Sequence, residues 1–304
     1  MGECPLCHCR NVVLLERIPS EFIRRQYKKF GIEVFVDEVS YVQCNNCHLR
    51  YYEPLVGGDE SFYDRLQQLE WYYQDTKPEY EVAARHIPPH CRVLEVGSGK
   101  GAFAAALQEC EYVGLEYSGK AVERARASGL DVRKEPLEDF AAANEESFDI
   151  VCAFQVLEHV VDPKGFLSNL LRCLKVGGRL VLSVPSEDSF MKYLPNNIMN
   201  MPPHHLTRWT DRCLLGLQRL FDIKLIDIRR DELDSVNVSN CCNAVSYRII
   251  TNMLHFRQSV VDERFLKFPF RTVQKKLARL LVPVFSEAKI ASGHSVTVLY
   301  VKNN

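Results

Sequence analysis

Val93-Leu94-Glu95-Val96-Gly97-Ser98-Gly99-Lys100-Gly101 joins an apolar run to three alternating glycines, and an Ala-rich run over 102–107 follows. A strand that feeds such glycines and then a helix must turn sharply and bring its backbone against whatever is bound there. Strand, tight loop and helix are the opening unit of a doubly wound α/β sheet, and the loop is of nucleotide-binding type. Gly97, Gly99 and Ala102 fit the GxGxx(G/A) spacing of a dinucleotide site, and Glu116 ends the next apolar run about 20 positions on. A dinucleotide loop also needs N–H groups aimed at a pyrophosphate, and no second phosphate-binding signal accompanies this one.

Downstream of the loop the alternation is regular. Strands are expected over 112–116, 131–133, 148–154 and 179–184, separated by helices over 119–128, 137–143 and 163–175. Single helices between strands imply a parallel sheet that binds ligands at the carboxyl ends of its strands, where the motif residues fall. The 304-residue chain, 46% hydrophobic, has ample material for that domain and something small beside it. With 38 basic and 39 acidic residues, no global field recruits nucleic acid, although a local basic patch stays open. No apolar run reaches the roughly 20 residues that span a bilayer, and no basic-then-apolar leader opens the sequence, so the expected location is the cytoplasm.

The twelve cysteines include two CxxC pairs, Cys4-Cys7 and Cys44-Cys47. Each pair can place two thiolates on one side of a tight turn, and together they complete a tetrahedral S4 shell with no position left for water. A structural zinc site is the expected reading; a redox dithiol and free thiols are the alternatives, and His8, Cys9 and His48 stand close enough to substitute as ligands. Strands over 39–43 and 49–52 flank the second pair, and a helix over 21–30 fills the interval. The stretch 59–86 is helical in pattern, broken near Pro78, and Pro88-Pro89 closes it.

Phe148-Asp149 through Gln155-Val156-Leu157-Glu158-His159 to Asp162-Pro163 is the second informative stretch, followed by Gly177-Gly178. With E-V-G-S-G-K-G and Glu116 in order before it, this set resembles the motifs of bacterial class I S-adenosylmethionine (SAM) methyltransferases of the small-molecule type that carry an N-terminal zinc knuckle. The Met201-Pro202-Pro203-His204-His205 element resembles the same family. The likeness extends to about Asp231.

That resemblance implies a Rossmann-like, doubly wound sheet of seven strands; 221–229 and 295–301 read as the last two, and the resemblance makes the final one antiparallel. It divides the chain into a zinc-knuckle module (1–58), a helical lid or linker (59–90) and a methyltransferase domain (91–304) with a helical insertion at about 236–292. It implies that Glu95 organises the methionine end of SAM, with Gly97, Ser98, Gly99 and Gly101 making room for the nucleoside. Glu116, beside Tyr117, accepts hydrogen bonds from the ribose hydroxyls; Leu137 meets adenine; Phe154 and Gln155 border the reactive methyl; and Trp71-Tyr72-Tyr73 offers aromatic contacts from the lid, with ordinary core packing as the alternative. His204, His205 and His159 are the candidate bases, with structural roles as the alternative.

The expected activity is methyl transfer from SAM to a small-molecule acceptor such as a sugar, a quinone-like compound or another secondary metabolite. Three rivals stand beside it: a zinc-anchored RNA or protein methyltransferase, a non-catalytic SAM-binding interaction protein, and a nicotinamide oxidoreductase. The acceptor atom and the oligomeric state are not legible.

Overall fold

A computed structural model of the chain describes residues 2–66, 68–69, 77–287 and 292–303. The N-terminal part consists of β1 (Val12–Ile18), α1 (Ser20–Lys28), β2 (Val39–Cys44) and β3 (Arg50–Glu53). Helices α2 (Glu60–Leu66) and α3 (Pro78–Ala84) lead to the body. There β4 (Arg92–Val96), β5 (Glu111–Leu115), α4 (Gly119–Ala127), β6 (Val132–Arg133), α5 (Leu137–Ala143), β7 (Phe148–Phe154), α6 (Pro163–Cys173) and β8 (Leu174–Pro185) alternate. The rest comprises β9 (Thr207–Arg208), α7 (Asp211–Gly216), β10 (Ile223–Glu232), α8 (Ser235–Met253), α9 (Phe270–Glu287) and β11 (Ser292–Lys302).

The large sheet has seven strands in the order β10-β11-β8-β7-β4-β5-β6. β4, β5, β6, β7 and β8 pair in parallel, and β11 runs antiparallel between β10 and β8. This is the expected Rossmann-like architecture, reversed last strand included. Its strands are buried on both faces, so alternate residues feed two cores. Leu94, Val151, Ala153, Leu180 and Leu182 pack on one side, and Val93, Ile150, Cys152, Phe154 and Val181 on the other. The helix starts are written locally: Asp162 caps α6 by accepting from Gly165 N, with Pro163 in the first turn, and Ser118 caps α4.

The segment after the glycines departs from expectation. The Ala-rich run after the glycines forms a 3₁₀ turn over Ala102–Ala106 rather than an α-helix. Gly101 opens it in left-handed conformation and Leu107 is already extended, so the run is too short for the cooperativity that an α-helix needs.

The N-terminal sheet is four-stranded, β1-β2-β3-β9, and β9 comes from the far side of the chain. Arg50 and Tyr51 pair with Arg208 and Thr207, and one apolar core runs from Leu6 and Val42 through Trp209 to Leu94. Under that junction lies an ion-pair cluster. Glu187, 3% exposed, holds Arg208 at 2.6 Å and Arg50 at 2.7 Å and accepts a hydrogen bond from Tyr41. Among the described residues no helix is long and apolar enough to cross a membrane.

Candidate active site

The carboxyl ends of β4, β5, β6, β7 and β8 open into one cleft of about 1270 Å³. It lies where the strand order reverses beside β4, the usual ligand position in such sheets. Pockets for single ligands run to roughly 300–1,000 Å³, so the cleft has room for two reactants side by side.

At the β4 end the glycine loop forms the floor. Gly97 has φ +76°, and a Cβ there would stand 2.2 Å from Val156 Cγ2, so only glycine lets the loop lie against the turn after β7. Glu116 sits at the end of β5, its Oε2 accepting from Gly99 N and its Oε1 from Ser118 N, both at 2.8 Å. The carboxylate thereby ties the glycine loop to the start of α4 and still faces the cleft.

The candidate cofactor residues divide into two groups. Gly97, Gly99, Glu116, Tyr117, Leu137, Phe154 and Gln155 line the cleft. Glu95, Ser98 and Gly101 are outside its wall. Glu95 is 1% exposed and takes a hydrogen bond from the Tyr112 hydroxyl, and burial raises its carboxyl to about 8. Ser98 is buried against Gly114, and Gly101 (φ +79°) opens the 3₁₀ turn. Trp71-Tyr72-Tyr73 lies outside the described residues.

Gln155 turns the chain at the end of β7 with φ +57°, a left-handed conformation uncommon for a non-glycine residue. Its amide Nε2 donates to Glu79 and Ser295 at 3.2 and 3.1 Å, which fixes the side chain between lid and sheet. Strain held by several bonds at a strand end is a feature of functional sites.

The three candidate histidines meet at the other end of the cleft. His159 follows β7, while His204 and His205 stand on the turn before β9; ring centroids are 4.5 Å (159 to 204), 4.8 Å (159 to 205) and 4.5 Å (204 to 205) apart. Leu206 N donates to Glu158 O, Tyr52 N to Leu206 O, and the Tyr52 hydroxyl to Asn200 O. The histidine turn is thus held between the Leu157-Glu158-His159 segment and the N-terminal sheet. Burial lowers all three imidazoles, His159 to about 4 and the other two well below their ordinary value, so they are neutral at physiological pH.

Tyr63, Glu79, Asn237 and His294 also line the cleft and carried no sequence signal, because they arrive from the lid and from the insertion and its edge. Asn237 is in the first turn of α8, where Asp234 caps its N–H, and its amide reaches His294 at 3.2 Å. The capping pattern alone could have placed Asn237 at a helix start, not in a cleft.

The four cysteines of the two CxxC pairs also converge. Cys4 and Cys47 sulfurs are 3.5 Å apart, as are those of Cys7 and Cys44, and all four fall within 4.8 Å of one another. Those spacings are far too long for disulfides of about 2.05 Å and suit four thiolates around one ion. Asn46 N and the Asn46 side chain approach the Cys44 and Cys7 sulfurs, as donors around a thiolate cluster do.

Sheet order, glycine loop and strand-end acid together define a class I, SAM-type methyltransferase domain. Residues 66–226, more than half the chain, match the family described as a methyltransferase domain, and the chain belongs to that family. A ubiquinone biosynthesis O-methyltransferase of Xanthomonas campestris is 36% identical over 110 residues, 34% of this chain and 46% of that protein. One of the same name from Hahella chejuensis is 30% identical over 140 residues, 42% of this chain and 59% of that protein. The chain thus spans about half the length of the curated relatives it matches. Among solved structures, a chain from the complex between a Haloferax volcanii methyltransferase activator and a methyltransferase superposes with TM-score 0.51 at 17% identity, covering 79% of this chain and 95% of that one. That similarity concerns the fold.

Proposed function

We propose that the protein transfers a methyl group from SAM to a hydroxyl-bearing small molecule, with a structural zinc ion held by Cys4, Cys7, Cys44 and Cys47. The observation that carries this reading is the single cleft that runs from the glycine loop and Glu116 to the group of three histidines. The relatives named O-methyltransferases support oxygen as the acceptor atom.

In this reading Gly97 and Gly99 leave space for the nucleoside, Glu116 accepts from the ribose hydroxyls, Leu137 packs on the base, and Phe154 with Gln155 borders the methyl group. Glu95, Ser98 and Gly101 act beneath the loop, holding its shape. Bound SAM supplies a sulfonium-activated methyl group and so its own driving force. The chain's task is to align acceptor oxygen, methyl and sulfur and to exclude water, where proximity can supply about 7–11 kcal/mol of the barrier. His159, His204 and His205, neutral and at the acceptor end, orient the hydroxyl or take its proton, a contribution of roughly 10²–10⁴-fold.

The zinc module supports the site from behind. Its sheet shares β9 with the histidine turn, and Tyr52 and Tyr27 hydrogen-bond the backbone of residues 198–201. The test is acceptor-dependent formation of S-adenosylhomocysteine across phenols, catechols and sugars, with RNA and protein fractions in parallel. Turnover with a small hydroxyl compound is the expected result; turnover with RNA or protein alone refutes the reading.

A further inference from the structure

The histidine group has the attributes of a metal centre separate from the cysteine cluster. Each of the three residues offers a ring nitrogen within 4.8 Å of the others. The nearest partner of each Nδ1 is an oxygen that can only accept: His159 Nδ1 is 2.6 Å from His204 O, with the Tyr63 hydroxyl farther off at 3.4 Å, His204 Nδ1 2.8 Å from Met199 O, and His205 Nδ1 2.9 Å from Asn200 Oδ1. Nδ1 therefore carries the proton and Nε2 the lone pair in all three rings. Metal-binding imidazoles are oriented in this way, by a carbonyl or amide oxygen on the far nitrogen.

Glu158 is the second, independent observation. Its side chain is 1% exposed, and neither carboxylate oxygen has a hydrogen-bond partner among the described residues. Oε1 is 3.7 Å from His159 Nε2. A buried carboxylate without partners is costly, and a cation beside it removes the cost. Glu158 and the three histidines line the same cleft, so a metal they hold keeps a coordination position open to a ligand there.

We propose that His159, His204 and His205, with Glu158 beside them, bind a divalent transition metal of the zinc, cobalt or iron(II) class whose open position takes an oxygen of the acceptor. Imidazole with one carboxylate selects these ions over magnesium and calcium, which prefer all-oxygen shells. Bonds of about 2.0–2.1 Å require the rings to draw together slightly on binding. The metal would act as a Lewis acid on a phenol- or catechol-type oxygen, lowering its pKa so that its proton leaves to solvent through the open cleft and the oxygen can take the methyl group as the carbon–sulfur bond of SAM breaks, with no imidazole base required. The acceptor part rests on the methyl-transfer reading, and the metal site does not.

The test uses the full chain, stripped with chelator and reloaded with one equivalent of zinc to fill the thiolate site. Cobalt(II) is then titrated while its visible spectrum and the bound metal are measured, with SAM affinity determined in parallel. The expected result is a second equivalent of metal with d–d bands and no thiolate charge-transfer band. His205→Ala abolishes it, and Asn200→Ala, which only frees the far nitrogen of His205, weakens it about 10–100-fold. Asn200→Ala is the milder change should His205→Ala fail to fold. One equivalent in total, or a second site unmoved by both variants, overturns the proposal. A second metal with no SAM affinity keeps the site and discards the methyl-transfer reading; SAM affinity without the second metal does the reverse.

Discussion

Replacing Gly97 by alanine should damage the cofactor loop through two separable effects. At φ +76° an alanine pays for left-handed backbone, about 1–2 kcal/mol. Its Cβ would also stand 2.2 Å from Val156 Cγ2, an overlap that costs about 1–3 kcal/mol once neighbours shift. The Gly97→Ala protein should therefore lose roughly 2–5 kcal/mol in urea unfolding, with weaker SAM binding because the loop moves. Val156→Ala alone should cost about 1–2 kcal/mol from lost burial. It also removes the atom that the new Cβ meets, so the double variant should recover about 1–3 kcal/mol relative to additivity and retain the backbone share. A Gly97→Ala protein within 0.5 kcal/mol of wild type, or a strictly additive pair, refutes the argument that close approach to Val156 dictates glycine.

Other consequences can be measured directly. Burial lifts Glu95 from its ordinary 4.5 to about 8, so between those pH values the folded state keeps a proton that the unfolded state has lost. This contribution lowers stability as pH rises through the window, with a limiting slope of about 1.4 kcal/mol per pH unit. Glu95→Gln should be more stable than wild type at pH 8 and indistinguishable at pH 4; parallel stability curves would contradict this. Glu187→Ala should cost about 3–5 kcal/mol by denaturation, because it strands Arg208 and Arg50 beneath the sheet junction, and a loss below 1 kcal/mol would show the cluster to be dispensable. Chelation should release zinc, lower the thermal midpoint and abolish turnover, by loosening the histidine turn and by stripping any metal the histidines hold, while SAM still binds at the opposite end of the cleft. Loss of SAM binding in step with zinc would contradict that separation.

Much of this architecture was legible because its signals are local. The glycine loop, Glu116 and the Asp162-Pro163 helix start each depend on a few neighbouring residues, and short apolar runs marked β4, β7 and β8. The reversed last strand came from family resemblance alone. What escaped prediction is nonlocal. β9 is only two residues long, and it closes the N-terminal sheet with Arg50 and Tyr51 from the other half of the sequence. Glu187, Arg50 and Arg208 stand far apart in the sequence, and only the fold buries them together. Glu95 and Ser98 belong to the motif, yet strand alternation and packing turn them beneath the loop. The histidines were legible as residues, and their convergence with Glu158 was not, since it depends on how the two sheets clamp one turn.

The measurement that bears most directly on the central claim is calorimetric titration of metal-replete protein with SAM and with NAD, repeated on Glu116→Ala. Two charge-assisted bonds to ribose, each worth about 1.5–3 kcal/mol, are lost together, so the account predicts micromolar SAM binding that weakens roughly 100-fold or more in the variant, with no NAD binding. NAD binding without SAM binding, or SAM binding indifferent to Glu116, would contradict it.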